Sequence, residues 1–136
     1  MVDTSLITLE QLTSERTPRP LMASRLNFNL PQEILALQGE VEYEKGGHNA
    51  RTLVKHSEFR IVLVVLKAGA KVGQQETDER LALQPLSGHI RVHVADQDEV
   101  VNLHSDQLFS LDRNQPYNIE AVEDTAFLLF VGWSKH

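Results

Sequence analysis

Six histidines, His48, His56, His89, His93, His104 and His136, are the side chains of this sequence best suited to metal ligation or proton transfer. Their spacing supports neither. His89 and His93 share one face of the alternating stretch His89-Ile90-Arg91-Val92-His93-Val94. Four residues of strand separate them by about 13 Å, too far to share an ion. Together with Arg91 they lie opposite Ile90, Val92 and Val94, which puts them on a solvated outer face or at a subunit contact. His48 follows Gly46-Gly47 and reads as a loop residue. His56, His104 and His136 have no close partner in sequence and read as surface or terminal positions.

Other chemistries are no better supplied. Ser87, Ser105 and Ser110 sit in turn or strand contexts, and none lies in a Gly-x-Ser-x-Gly elbow. Gly69-Ala70-Lys71-Val72-Gly73 lacks the strand-to-helix setting of a phosphate loop. Asp78-Glu79 and Glu123-Asp124 are adjacent in sequence and read as solvated turns. There is no cysteine. Disulfides, thiolate zinc sites, iron–sulfur clusters and a cysteine nucleophile are therefore excluded.

The chain that must position these groups has 136 residues, a length that suits one domain. Apolar residues make up 41% and charged residues 24%, as in an ordinary globular domain. Thirteen Lys and Arg are scattered among nineteen Asp and Glu, for a net charge of −6 and no basic cluster. Nucleic-acid affinity rests on basic residues neutralising phosphates, so DNA and RNA are not expected partners. The longest apolar run, Ile61 to Leu66, is too short to span a bilayer. Met1-Val2-Asp3-Thr4-Ser5-Leu6 has no basic stretch followed by an apolar one, so no signal peptide is expected and the cytoplasm is the expected location.

Residues 1–49 read as an arm of short helices and a first strand, and residues 50–136 as a barrel. Thr8-Leu9-Glu10-Gln11 has capping-box spacing, with Leu6, Leu9 and Leu12 on one helical face. Thr17-Pro18-Arg19-Pro20 stops any helix there. Leu30-Pro31-Gln32-Glu33 opens a second helix, which Gly39 ends. Glu40-Val41-Glu42-Tyr43-Glu44 alternates like a half-buried strand, and Gly46-Gly47 turns the chain. From Arg51 onward short strands recur every 8 to 12 residues with no helix between them, the pattern of an all-β sandwich or barrel. Pro85 marks an edge or irregular position in its strand. Phe59 to Leu66 is apolar at both parities and needs cover on both faces. The arm or a second subunit must supply that cover, which makes a homodimer the expected assembly.

Gly69 and Gly88, the text Leu66-Lys67-Ala68-Gly69 and Leu86-Ser87-Gly88-His89-Ile90-Arg91-Val92, and the later Asn114-Gln115-Pro116-Tyr117-Asn118-Ile119-Glu120-Ala121 resemble the two motifs of the cupin superfamily. Glu123-Asp124-Thr125-Ala126-Phe127-Leu128-Leu129 resembles the closing strand of small single-domain, RmlC-like cupins. The resemblance covers roughly residues 50 to 133. It implies an all-β double-stranded β-helix, or jelly-roll barrel, behind a short, partly helical N-terminal arm. In the family the first motif runs glycine, five residues, His-x-His, three or four residues, Glu, six residues, glycine, and the second motif adds a third histidine. Counted from Gly69 and Gly88, those ligand positions fall on Gln75, Thr77 and Leu81, and the second-motif histidine falls on Tyr117.

Gln, Thr and neutral Tyr are poor ligands for Mn, Fe, Ni or Zn, and Leu is none. The resemblance therefore implies a metal-free cupin with no cofactor. Gln75, Thr77, Leu81 and Tyr117 would point into the barrel mouth, where a small molecule could bind. Two enzymatic alternatives stand beside this one. Tyr117 could act as the acid of a metal-independent isomerase or epimerase, as in sugar-nucleotide epimerases of cupin-type fold. A metal-dependent dioxygenase or isomerase could use non-standard ligands such as Glu76 and Glu79. Arg60 and Trp133 could border the opening, with their direction open.

Overall fold

The computed structural model describes residues 7–8, 23–74, 78–94 and 99–132. Strand β1 (Ile7–Thr8) is followed by helices α1 (Leu30–Gln38) and α2 (Val41–Gly46). Nine strands then follow without a helix among the described residues: β2 (His48–His56), β3 (Phe59–Leu66), β4 (Lys71–Gln74), β5 (Arg80–Ser87), β6 (His89–Val94), β7 (Glu99–His104), β8 (Phe109–Leu111), β9 (Tyr117–Ala121) and β10 (Thr125–Gly132). They form two five-stranded sheets, ordered β1-β4-β9-β6-β7 and β2-β3-β10-β5-β8. All described pairings are antiparallel except β1 with β4. The fold is the expected all-β jelly roll. No helix among the described residues is long and apolar enough to cross a membrane.

Period-2 patterning explains the layers. On β6, Ile90, Val92 and Val94 are buried and His89, Arg91 and His93 are half-exposed. On β9, Tyr117, Ile119 and Ala121 are buried while Asn118 and Glu120 face out. The inward rows of both sheets meet in one core with Val62, Val64, Phe127 and Leu129. Pro85 sits at an irregularity, as expected. The register of β5 against β10 shifts between Phe127↔Pro85 and Ala126↔Ser87.

The doubly apolar β3 is covered from both sides by its own chain. Val62, Val64 and Leu66 belong to the core between the sheets. Leu63 and Val65 belong to a second cluster with Leu37 of α1 and Tyr43 of α2, flanked by Phe28, Leu30 and Ile34. A partner subunit is not needed to bury this strand.

Polar groups fix the helical cover in place. Asn29 caps α1, its side chain accepting from the Gln32 N–H at 3.1 Å. Pro31 lies in the first turn and Gly39 ends the helix, as the sequence predicts. The buried Asn49 amide donates to Leu37 O and to Glu40 Oε1, each at 2.9 Å. Arg51 reaches Glu33 at 2.7 Å and Glu40 at 3.2 Å.

Two readings of the arm are corrected. The segment around Val41 and Tyr43 is helical, not a strand. Over five residues an i, i+2 apolar pair looks like a strand, but here only Tyr43 is buried and Val41 stays exposed. Gly47, in the left-handed region at φ 80°, terminates the helix, and its N–H donates to Tyr43 O. Thr8, the N-cap of the capping-box reading, is extended as an N-cap is and pairs in parallel with Gly73 of β4, while the turn that would follow it lies outside the described residues. Leu6, Leu9 and Leu12 lie outside the described residues. His48 also proves to be the first residue of β2, not of a loop.

Candidate functional site

One end of the barrel holds Leu81 and Tyr117, two of the four predicted residues. Leu81 stands in register with Val131 of β10 and Leu111 of β8. Tyr117 stands in register with Gln74 of β4 and Val94 of β6. The chain passes from Gln74 in one sheet to Arg80 in the other within a few residues, so both rows lie at the same end. Leu81 and Tyr117 are buried in the inter-sheet core. The other two predicted residues, Gln75 and Thr77, lie outside the described residues, as do Glu76, Trp133 and His136.

Tyr117 is the chemically distinctive group of this end. Burial pushes its phenol well above the ordinary tyrosine value, and the nearby Glu79 carboxylate adds to the shift by opposing a second negative charge. The hydroxyl therefore stays protonated, a donor and acceptor rather than a phenolate ligand. Leu81 offers no donor atom at all. Neither side chain suits a metal ion. Among the described residues no group of three or more His, Asp or Glu is placed to hold one.

His56 lies at this end too, exposed, in the row of Phe59, Gly132 and Arg80, while the other described histidines stand at the opposite end or on the outer face. His48 lies in the row of Leu66 and Thr125, at the opposite end of the barrel. Burial lowers its pKa below the ordinary histidine value. His89, His93 and His104 occupy the outer face of β6 and β7. His104 is exposed, as expected, and has a partner across the strands. It pairs with His89 across the hairpin, and the two rings stack at 4.1 Å. His93 meets Glu120 at 3.4 Å on the same face.

Arg60 is the residue whose direction the sequence left open. It pairs with Val131, the partner of Leu81, so it belongs to the row at the Tyr117 end. Its Nε is buried and the side chain is engaged with its surroundings. A signal was available: Arg60 shares the parity of Val62, Val64 and Leu66, the inward residues of β3.

Below this rim the sheets close on each other. The void beneath Tyr117, lined with Val64, Val72, Ile119, Phe127 and Leu129, holds about 10 Å³, room for roughly one water. A larger open depression of about 590 Å³ lies on the helical cover, lined by Leu30, Pro31, Ile34, Leu35 and Leu86.

Comparison with solved structures places the architecture. A conserved Streptococcus pyogenes protein of unknown function superposes with a TM-score of 0.68 at 20% identity, over 90% of this chain and 100% of that one. A cupin superfamily protein from Desulfitobacterium hafniense gives 0.60 at 13% identity, over 90% and 96%. A mutant salicylate 1,2-dioxygenase from Pseudoaminobacter salicylatoxidans gives 0.67 at 17% identity, over 90% of this chain and 41% of that one. The likeness is one of fold, and the fold is the cupin fold. No family model matches the sequence. No curated protein matches it either.

Proposed function

We propose that this cupin-fold chain is a metal-independent cytoplasmic module that holds a small organic molecule at the rim of its barrel. The observation that carries this reading is Tyr117. A buried, protonated hydroxyl stands at the position that the motif resemblance aligns with a ligand histidine, at the same end as the inward-row Arg60 and the Glu79 carboxylate. A hydroxyl, a cation and a carboxylate around an apolar rim suit a small polar molecule carrying an acid group.

The enzymatic alternatives find less support. An isomerase with Tyr117 as acid needs a base facing it across one reacting carbon. His56 shares the Tyr117 end but is exposed on β2, and the other described histidines lie on the outer face or at the opposite end. Glu79 is the described titratable group that acts on the Tyr117 hydroxyl. A metal-dependent reaction would have to draw on Glu76 and Glu79 without Leu81 or Tyr117.

Homodimerisation now needs a surface other than β3. The exposed Leu35 and Val41 on the helical cover supply one for a second copy. Light scattering of the purified chain checks it, and a monomer mass at high concentration removes the dimer.

The binding reading is tested by nuclear magnetic resonance titration with acetate, succinate, gluconate and glucose. The expected result is saturable shifts at Tyr117, Leu81 and Arg60 with at least one acid, weakened about tenfold in Tyr117→Phe by loss of one hydrogen bond. Shifts confined to other surfaces would overturn it. Metal independence is tested by offering Mn²⁺, Fe²⁺, Ni²⁺, Zn²⁺ and Cu²⁺ to the protein. A full equivalent lost on Glu79→Gln would refute it.

A further inference from the structure

The geometry points to a transition-metal site on the outer face of the β6–β7 hairpin, formed by His89 and His104. It is separate from the barrel rim, and it takes a borderline divalent ion such as Zn²⁺, Ni²⁺ or Cu²⁺ with water completing the coordination shell.

Three observations meet here. The two imidazoles stand directly opposite each other on paired strands. Their centroids are 4.1 Å apart and their planes differ by 28°. Two imidazole nitrogens bound to one tetrahedral ion at about 2.0–2.1 Å lie about 3.4 Å apart. Imidazole lone pairs lie in the ring planes, so the two rings leave their stack and splay apart to bring one nitrogen of each to that separation on a shared ion.

The second observation concerns the proton. His89 Nε2 lies 2.9 Å from Asn102 Oδ1. A carbonyl oxygen only accepts, so Nε2 carries the hydrogen and Nδ1 keeps its lone pair. Metal-binding histidines are held in this way, one ring nitrogen donating to a carbonyl while the other faces the ion.

The third is rigidity. His89 begins β6 immediately after Gly88. Its N–H donates to Thr125 Oγ1 at 3.1 Å, and its carbonyl accepts from the Val122 N–H at 2.9 Å. His104 ends β7, and its N–H donates to Gln107 Oε1 at 2.7 Å. Both backbones are fixed before any ion arrives, so little ordering opposes binding. No third His, Asp or Glu among the described residues converges on the pair. An ion with a strong preference for imidazole is therefore favoured over Mg²⁺ or Ca²⁺, and the affinity order should follow the Irving–Williams series. Arg91, the neighbouring cation on β6, stands in register with Glu120 of β9.

The test is isothermal titration of the whole chain with Zn²⁺ and Cu²⁺, alongside His104→Gln, His89→Gln, Asn102→Ala and His93→Gln. Wild type should take one ion with Cu²⁺ bound more tightly than Zn²⁺. Either His89→Gln or His104→Gln should abolish saturable binding, and Asn102→Ala should weaken it about tenfold. His93→Gln should leave it unchanged. His104 is exposed, so its replacement does not threaten the fold. Binding that survives His104→Gln, or that follows His93, overturns the assignment, and so does the absence of saturable binding in wild type. An ion at this pair leaves the Tyr117 resonances unmoved, so this outcome and that of the rim reading are read separately.

Discussion

Gly73 of β4 lies so close to Tyr117 of β9 that no side chain fits between them. Gly73 pairs with Asn118, and a Cβ on it would collide with the Tyr117 carbonyl oxygen and stand 2.9 Å from Asn118 Cα. Both are backbone atoms, which cannot swing aside. Gly73→Ala should therefore force β4 away from β9 at the level of the candidate site, destabilising the chain by about 1–3 kcal/mol. Chemical denaturation gives the loss, and the Tyr117 ring signals should move with it. An alanine variant of unchanged stability would show that the strands separate without strain.

The helical cover should depend on a polar latch as well as on its leucines. Asn49 is 3% exposed, and its amide serves both Leu37 O and Glu40. Asn49→Ala removes one of the bonds to the Leu37 carbonyl, which keeps the Glu40 N–H at 3.3 Å, and should cost about 0.5–1.5 kcal/mol. Arg51 shares the Glu40 carboxylate, so Asn49→Ala and Arg51→Met should combine non-additively by about 0.5–3 kcal/mol. Strict additivity in a double-mutant cycle would mean that Asn49 acts alone. Hydrogen exchange should report the loss first in α1 and α2, because the barrel core is packed by other residues.

Much of this fold could be read from period alone, and the limits are physical. The strand at β6 alternates without exception, and its burial follows that alternation residue by residue. The doubly apolar β3 announced a covered outer face, but not what covers it. That answer lies in Leu37 and Tyr43, whose contact with Leu63 and Val65 is long-range. The segment at Val41 and Tyr43 misleads because its pattern fits a strand, while the Gly47 cap and the packing of Tyr43 decide for a helix. Leu81 and Tyr117 were placed from glycine spacing, and both fall at one end of the barrel. The His89–His104 pair was out of reach because cross-strand register is set by the hairpin, not by sequence distance. The contribution of Gln75 and Thr77 falls outside the described residues.

Both tyrosines should resist ionisation in the folded chain. Burial raises Tyr117, with Glu79 adding to the effect. Burial also raises Tyr43, helped by Asp124 and opposed by a hydrogen bond with Gln38. A folded pKa above the unfolded value of about 10 means that stability is fully present below pH 10 and is lost as pH rises above it. Tyrosinate absorbance should therefore appear only together with loss of the circular-dichroism signal. Glu79→Gln should lower the Tyr117 transition while leaving it above the ordinary value, since burial is the larger cause. Substantial tyrosinate absorbance at pH 10 in a fully folded Tyr43→Phe sample would contradict the buried placement of Tyr117.

His48 gives the opposite sign on the acid side. Its imidazole lies beside the last turn of α2, where a Cβ on Gly46 would come 3.4 Å from Nε2. Burial there holds its pKa below the ordinary value. The unfolded chain, with a histidine near 6.5, then binds more protons than the folded one as pH falls. Stability attributable to His48 is present above about pH 6.5 and is lost as pH falls through that value toward the lower folded pKa. His48→Gln removes the titration without removing a polar side chain. The variant should thus lose less stability than wild type between pH 7.5 and 5, with the two curves running parallel at higher pH. Denaturation midpoints measured at half-unit intervals provide the comparison. A variant whose stability falls as steeply as that of wild type would assign the acid sensitivity to other groups and place His48 in contact with water.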